Sequence, residues 1–216
     1  MSIRGFKNVL NSRCLVMLLI ASAAPVRAAT LHVNCGGSGG LNSIGAALKA
    51  LRYSESNGPS TINVSGACHE NVVIQSLDRL TLNAVNGASI SDASGGKRDV
   101  ISIFDSRDIA INGFTVNAGS GDGINGISCN DFSTCRLSKN VLQGATGGGG
   151  FAVYSQSQAT LDGDTLQNNL CGLFMRSGTK VRGGPFTSRN NHRGSILAAR
   201  RSPTLRLSLR TIPARE

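Results

Sequence analysis

The chain has no tryptophan and only two tyrosines, so an aromatic platform for sugars or bases has few residues to draw on. Past residue 24 no apolar run approaches ~18 residues, which leaves nothing in the remainder long enough for a membrane-spanning helix. There is no CxxC pair, and the three histidines, His32, His69 and His192, are scattered. Disulfides are therefore a better use of the cysteines than zinc, and no metal site is expected. The glycine-rich run after Cys35 lacks the GxxxxGK[ST] pattern, so it reads as a turn and not as a phosphate cradle.

What is present begins with a leader. Arg4, Lys7 and Arg13 flank or precede the apolar run from Cys14 to Ala24, and Val26-Arg27-Ala28 offers a small-residue cleavage site before Ala29. Residues 1–28 are expected to be a secretory signal peptide, which makes the mature chain secreted or periplasmic. The formal charge of +10 is unevenly spread. Residues 1–28 hold four bases and no acid, residues 193–216 six arginines and one glutamate, and residues 29–192 twelve bases and eleven acids. A near-neutral body gives no electrostatic footprint for nucleic acid, which is not expected as a partner. Export permits disulfides. Once Cys14 leaves with the leader, Cys35 with Cys68 and Cys129 with Cys135 suggest themselves as pairs, and Cys171 is left over.

Strand-length runs recur with no helix between them. Around Ile111 an aliphatic residue stands eight positions earlier (Ile103) and five later (Val116), with Gly113 between. The same template falls on Val153, Leu161, Gly163 and Leu166, and, with the first interval one residue shorter, on Phe174, Val181, Gly183 and Phe186. A period of this kind built from strands is the signature of a parallel β-solenoid, so an all-β fold is expected. Anchors at Leu82, Ile111, Leu137, Leu161, Val181 and Leu205 give coils of 29, 26, 24, 20 and 24 residues. From Ile127 to Leu137 the interval is ten where eight is usual, and a Cys129–Cys135 disulfide is expected to tie off the excess as a bulged turn.

Residues 29–60 are assigned to a strand, the glycine-rich turn and an amphipathic helix. Ile44, Ala47, Leu48 and Leu51 share one helical face, with Asn42 or Ser43 as N-cap. That helix is expected to cover the open first coil. Residues 61–192 are assigned to the coils. Residues 193–216 read as a degenerate basic coil and tail of a truncated or frame-disrupted stack, because Leu207 and Arg210 replace the expected glycine and aliphatic. The pairs Asn168-Asn169 and Asn190-Asn191 read as turn residues stacked in consecutive coils.

The stretches GSGGLNSIGAALKAL, INVSGACHENVVI and LTLNAVNGASI resemble the start of pectin methylesterases. With the repeats over roughly residues 30–192, the chain resembles secreted right-handed parallel β-helix proteins of the pectin-lyase-like superfamily. That resemblance implies a groove along one sheet and acidic polysaccharide as partner, while the chemistry must be sought residue by residue. For an esterase, Gly163-Asp164-Thr165-Leu166 is similar to the family's Gln-Asp-Thr-Leu, but glycine replaces the glutamine, the other motifs are missing, and Asp164 reads as a turn residue. For a polygalacturonase, Asp122 keeps the first acid, whereas Gly147 to Gly150 and Cys171-Gly172 stand where paired acids and His-Gly are implied. Such hydrolysis needs two carboxylates across the scissile bond.

For a pectate lyase, Asp105, Asp108, Asp122 and Asp131 in adjacent coils are candidate calcium ligands, with Arg107, Arg136 or Arg176 as the arginine. Calcium is implied under this alternative alone. His192 is a further candidate acid or base. Tyr154, the one aromatic assigned to the outer face of a regular coil, is the candidate substrate-binding residue. The catalytic candidates are thus Asp105, Asp122, Asp131 and Arg176. The expected function is an exported, non-catalytic polysaccharide-binding or surface protein; the alternative is a polysaccharide lyase or related enzyme acting on uronates.

Overall fold

The computed structural model describes residues 28–53, 59–176, 178–194, 196–198 and 204–211. The expected signal peptide falls, but for residue 28, outside the described residues, as do the last five positions. The chain enters on β1 (Ala29–Cys35) and α1 (Ile44–Tyr53). Ile44, Ala47, Leu48 and Leu51 are all buried, as the helical spacing predicts. Ser43 is the N-cap, its Oγ accepting the Ala46 N–H at 3.1 Å. Glu70 adds a long-range cap: its carboxylate accepts the N–H groups of Ile44 and Gly45 at 2.7 and 3.0 Å. A negative charge thereby meets the positive end of the helix.

The coils follow as a parallel β-solenoid of about five turns. They run through β2 (Ser60–His69) and β3 (Val72–Gln75); β4 (Leu80–Ser91) and β5 (Ile101–Phe104); then β6 (Ile109–Asn112), β7 (Thr115–Asn117) and β8 (Ile127–Asn130). Next come β9 (Thr134–Ser138), β10 (Val141–Gln143) and β11 (Gly149–Val153), then β12 (Gln158–Asp162), β13 (Thr165–Gln167) and β14 (Cys171–Met175). The last elements are β15 (Lys180–Arg189), β16 (Ile196–Ala198) and β17 (Thr204–Thr211). Helix α1 packs against β1, β2 and β3, over the first coil.

The strands stack into three faces. The first carries β1, the leading halves of β2 and β4, then β6, β9, β12 and the start of β15 and β17. The second carries the trailing half of β4, then β7, β10, β13 and the end of β15. The third runs β3, β5, β8, β11, β14, β16. Long strands β4 and β15 bend across a corner and join the first two faces.

The alternation of strand side chains builds the core. Ile103, Cys129, Val153 and Met175 form one inward column, and Leu82, Ile111, Leu137 and Leu161 another. All are buried, each at 1 % exposure or less. Removing an aliphatic side chain of this size from water stabilises the fold by about 1.5–3 kcal/mol.

Pairing registers correct three of the sequence expectations. Val181 lies opposite Ala159, and Gly183 opposite Leu161, so that coil has 22 residues where the anchors give 20. Met175 takes the inward place next to Val153, and Phe174 pairs with Ala152 on the outside. The misreading arose because β14 puts its aromatic outward and its thioether inward, the reverse of what hydrophobic size suggests. Phe186 likewise is no counterpart of Leu166, which pairs with Ser188. The corner keeps its residue count, Gly183, Gly184 and Pro185 standing where Leu161, Asp162 and Gly163 do, and Phe186 takes the place that Asp164 holds one coil earlier.

Both expected disulfides are present, Cys35–Cys68 with Cα atoms 5.0 Å apart and Cys129–Cys135 with Cα atoms 6.4 Å apart. The expected bulge is not. Cys129 pairs with Ile103 and Cys135 with Ile109, so this corner has the same residue count as its predecessor. The disulfide replaces an aliphatic contact inside the solenoid and ties off no excess chain. Cys171 is free and buried.

The paired asparagines sit at corners as expected. Asn168 and Asn190 adopt φ of 55° and 53°, the left-handed region that asparagine tolerates. Their neighbours form an internal ladder: Asn169 accepts the Ala145 N–H and donates to the Leu142 carbonyl, while Asn191 accepts the Asn169 N–H and donates to the Leu166 carbonyl. In the last coil β17 continues the stack, with Leu205 opposite Val181 and Leu207 opposite Gly183. A register shift then places Leu209, not Arg210, opposite Phe186. Thr211 falls opposite Ser188, so the column of Val116, Leu142 and Leu166 continues without an aliphatic residue.

Candidate functional site

On the first face the outward positions form a groove. A cavity of about 580 Å³ is lined by Arg79, Asp108, Asn112, Arg136, Thr160 and Asp162 among others. A second, of about 290 Å³, shares Asp108, Arg136 and Thr160 with it and extends to Gln158, Lys180 and Arg182. The two are one depression running along the stack. Arg136, Thr160 and Arg182 occupy one column, and coils stack ~4.8 Å apart, so the two arginines stand roughly 10 Å apart along the axis.

Charge in the groove is mostly positive. Arg136 forms an ion pair with Asp108, and Arg79 with Asp78 at 3.5 Å. Lys180 and Arg182 extend the row toward the C-terminal coils. In the neighbouring column of the earlier coils runs an amide ladder, in which Asn112 donates to Asn83 at 2.9 Å and Asn83 to Asn63 at 3.3 Å. Cations at two-coil intervals, with a file of amides on the same face, match a polymer that repeats its own anionic and hydroxyl groups.

The sequence candidates are dispersed. Asp105 and Asp131 hold equivalent positions in consecutive coils, at the corner after β5 and β8, both exposed and both with positive φ, 42° and 52°. Ser76 Oγ donates to Asp105 at 3.3 Å. Asp122 lies before β8, at the other end of the strand that Asp131 follows. Arg176 follows β14 on the third face, where its guanidinium lies 5.4 Å over the ring of Tyr154. Asp105, Asp131 and Arg176 lie at the same exit corner of the third face, one coil apart from Asp105 to Asp131 and two coils apart from Asp131 to Arg176, and Asp122 lies at the opposite end of that face. His192 is exposed in the turn after β15.

Tyr154 is held by its neighbours. Its hydroxyl accepts a hydrogen bond from Asn125 Nδ2 at 3.3 Å, Phe174 lies 5.5 Å away ring to ring, and burial pushes the phenol pKa up. With Arg176 over its ring, this tyrosine closes the third face. Glu70 lies close to the Cys35 and Cys68 sulfurs, but the sulfurs are bonded to each other and the carboxylate caps α1. Cys171 is too buried to be a reactive thiol, and burial raises its pKa.

Asp164 is not solvated. It is fully buried, in the column that successive coils fill with Phe114, Asn140, Asp164 and Phe186. Its carboxylate accepts the Asn140 N–H and Nδ2 at 2.9 and 2.8 Å and the Asp162 N–H at 3.0 Å. Burial nevertheless dominates and raises its pKa to about 6.

One aromatic escaped the sequence reading altogether. Phe132 is 68 % exposed, the most exposed large hydrophobic residue among those described. Its backbone has φ of 60°, after Asp131 at 52°, a turn closed by the Ser133 N–H on the Asn130 carbonyl. Holding a bulky side chain in the left-handed region costs about 1–2 kcal/mol. The signal was present: Phe132 sits at a corner two residues before a groove strand, inside the segment taken for a bulge.

The chain matches no protein-family model, no curated protein and no solved structure. The class that fold and groove define is a disulfide-bonded parallel β-solenoid. Among the described residues no helix is long and apolar enough to cross a membrane.

Proposed function

We propose that this is an exported, non-catalytic member of the pectin-lyase-like superfamily that binds acidic polysaccharide along the outward groove of its first face. The observation that carries the reading is the row Arg136, Lys180 and Arg182 in the later coils, continuing along the same face from the Asn63–Asn83–Asn112 ladder in the neighbouring column of the earlier coils. A cation row attracts a polyanion, and the amides offer both donors and acceptors to hydroxyls. Two disulfides suit an oxidising compartment, in keeping with the signal-peptide reading of residues 1–28. The spread of Asp105, Asp131 and Arg176 over four coils along one corner, with Asp122 at the opposite end of the third face, supports binding over turnover, since a glycosidase or lyase needs its groups around one bond.

The test is retention of the mature chain, begun at Ala29, on immobilised polygalacturonate and alginate, with and without calcium, while unsaturated products are followed by absorbance. Binding that weakens steeply with salt and is lost in the Arg136→Ala/Arg182→Ala double variant is expected, without product formation. Turnover abolished by Asp122→Ala would make the protein a lyase and overturn the non-catalytic reading.

A further inference from the structure

Phe132 is both strained and solvent-exposed, two unfavourable features that a merely structural turn has no reason to combine. Its neighbours along the stack show that the outward turn begins at this coil. By residue count from the flanking inward positions, Leu77, Ser106, Phe132 and Gln156 are equivalents. Ser106 is buried, its N–H bonded to Ser133 Oγ. From this coil on, Ser133 and then Ser157 supply the buried hydroxyl, Ser133 N–H bonding to Ser157 Oγ. Phe132 and Gln156 are thereby turned outward, each following a residue of positive φ.

The outward turn leaves Phe132 exposed at the corner that leads into groove strand β9. Thr134, two residues on, lines the groove with Gln158 and Lys180 of the next coils, and two residues span at most about 7 Å. Pyranose rings carry an apolar C–H face that packs on aromatics, so a groove of cations and amides lacks one recognition element, and Phe132 stands where it would be supplied.

We propose that Phe132 is the stacking anchor of this groove, receiving the apolar face of a uronate ring in a chain whose carboxylates meet Arg136, Lys180 and Arg182. The inference rests on the acidic-polysaccharide reading. Because the chain has no tryptophan, Phe132→Trp installs a single indole at the site. Titration with polygalacturonate is expected to change the emission of that indole, with wild-type-like affinity. Phe132→Gly relieves the backbone, so it should melt no lower than wild type, yet bind about tenfold more weakly with an unchanged salt dependence. Wild-type affinity in Phe132→Gly, or an indole indifferent to a polysaccharide that the protein does bind, overturns the anchor and leaves the groove intact. Failure of the wild-type protein to bind polygalacturonate or alginate removes the groove reading and the anchor with it.

Discussion

Asp164 has no exposed surface, and its proton should govern how stability changes across mildly acid pH. In the unfolded chain its carboxyl has an ordinary pKa of 3.8; in the folded chain burial raises it to about 6. Between those values the native state binds more protons than the unfolded state, so stability falls as pH rises. The contribution is whole below about pH 3.8 and is lost as pH passes about 6. A shift of about two units, at 1.36 kcal/mol each, amounts to roughly 3 kcal/mol. For a domain of this size that is roughly 6–12 °C in melting midpoint. Asp92 acts in the other direction and outside this window. Burial pushes its carboxyl up, but hydrogen bonds from Ser94, Asn71 and Gly96 outweigh that and hold it well below the carboxylate range. Its contribution is present above the ordinary aspartate pKa and is lost in stronger acid.

The assay is urea unfolding at a series of pH values from about 4 to about 8, on wild type and on Asp164→Asn. The variant is neutral throughout. It keeps an oxygen for Asn140, although its amide opposes the Asp162 N–H, so it starts weaker. The expected signature is a wild-type advantage that shrinks with rising pH, by up to roughly 3 kcal/mol across the window. A difference that stays flat, or that grows with pH, refutes the placement of Asp164 as a buried, proton-holding acid.

Three further outcomes rest on the disulfides, a corner asparagine and the helix cap. Replacing Cys35 and Cys68 by alanine opens a loop of sequence separation 33, and replacing Cys129 and Cys135 opens one of 6. Loop entropy then gives losses of about 3.7 and about 2 kcal/mol in denaturant unfolding, and the reverse order would contradict it. Asn169→Ala leaves the Ala145 N–H and the Leu142 carbonyl without their side-chain partner in a buried corner, a loss of about 2–4 kcal/mol by thermal melts. Glu70→Ala removes the second cap of α1 and should cost about 1 kcal/mol, read as faster amide exchange confined to Ile44–Tyr53.

The solenoid was legible because its inward positions are nearly all aliphatic and recur at fixed distance from corner residues, as Ile103, Ile111 and Val116 do. Legibility failed where another residue type took an inward place. Cys129 and Ala159 are small, Met175 is flanked by an outward phenylalanine, and Ser188 is polar, yet all four are buried. A search for aliphatics slides past each to a neighbour, and every slip moves one coil by one or two residues. The cap from Glu70 was invisible for a different reason: it joins residues 25 and 26 apart through a carboxylate that local helix rules never consult.

These slips bear directly on the groove. With Val181 set beside Leu161, Lys180 falls in the column of Arg136, and Arg182 falls beside Asp162, where it reads as one half of a neutral pair. The observed register moves both by one strand step: Arg182 joins Arg136 and Thr160, while Lys180 joins Gln158 and Thr134. One coil then contributes two cations to adjacent columns of the same depression, and their charge adds to that of Arg136. The groove therefore depends on the glycine corner at Gly183 and Gly184. Its backbone has φ of 141° at Gly183, and a Cβ there would lie 2.0 Å from the Leu161 carbonyl oxygen. Gly183→Ala should accordingly disturb the placement of Lys180 and Arg182 as well as stability, weakening polyanion retention more than an equally destabilising change in the third face.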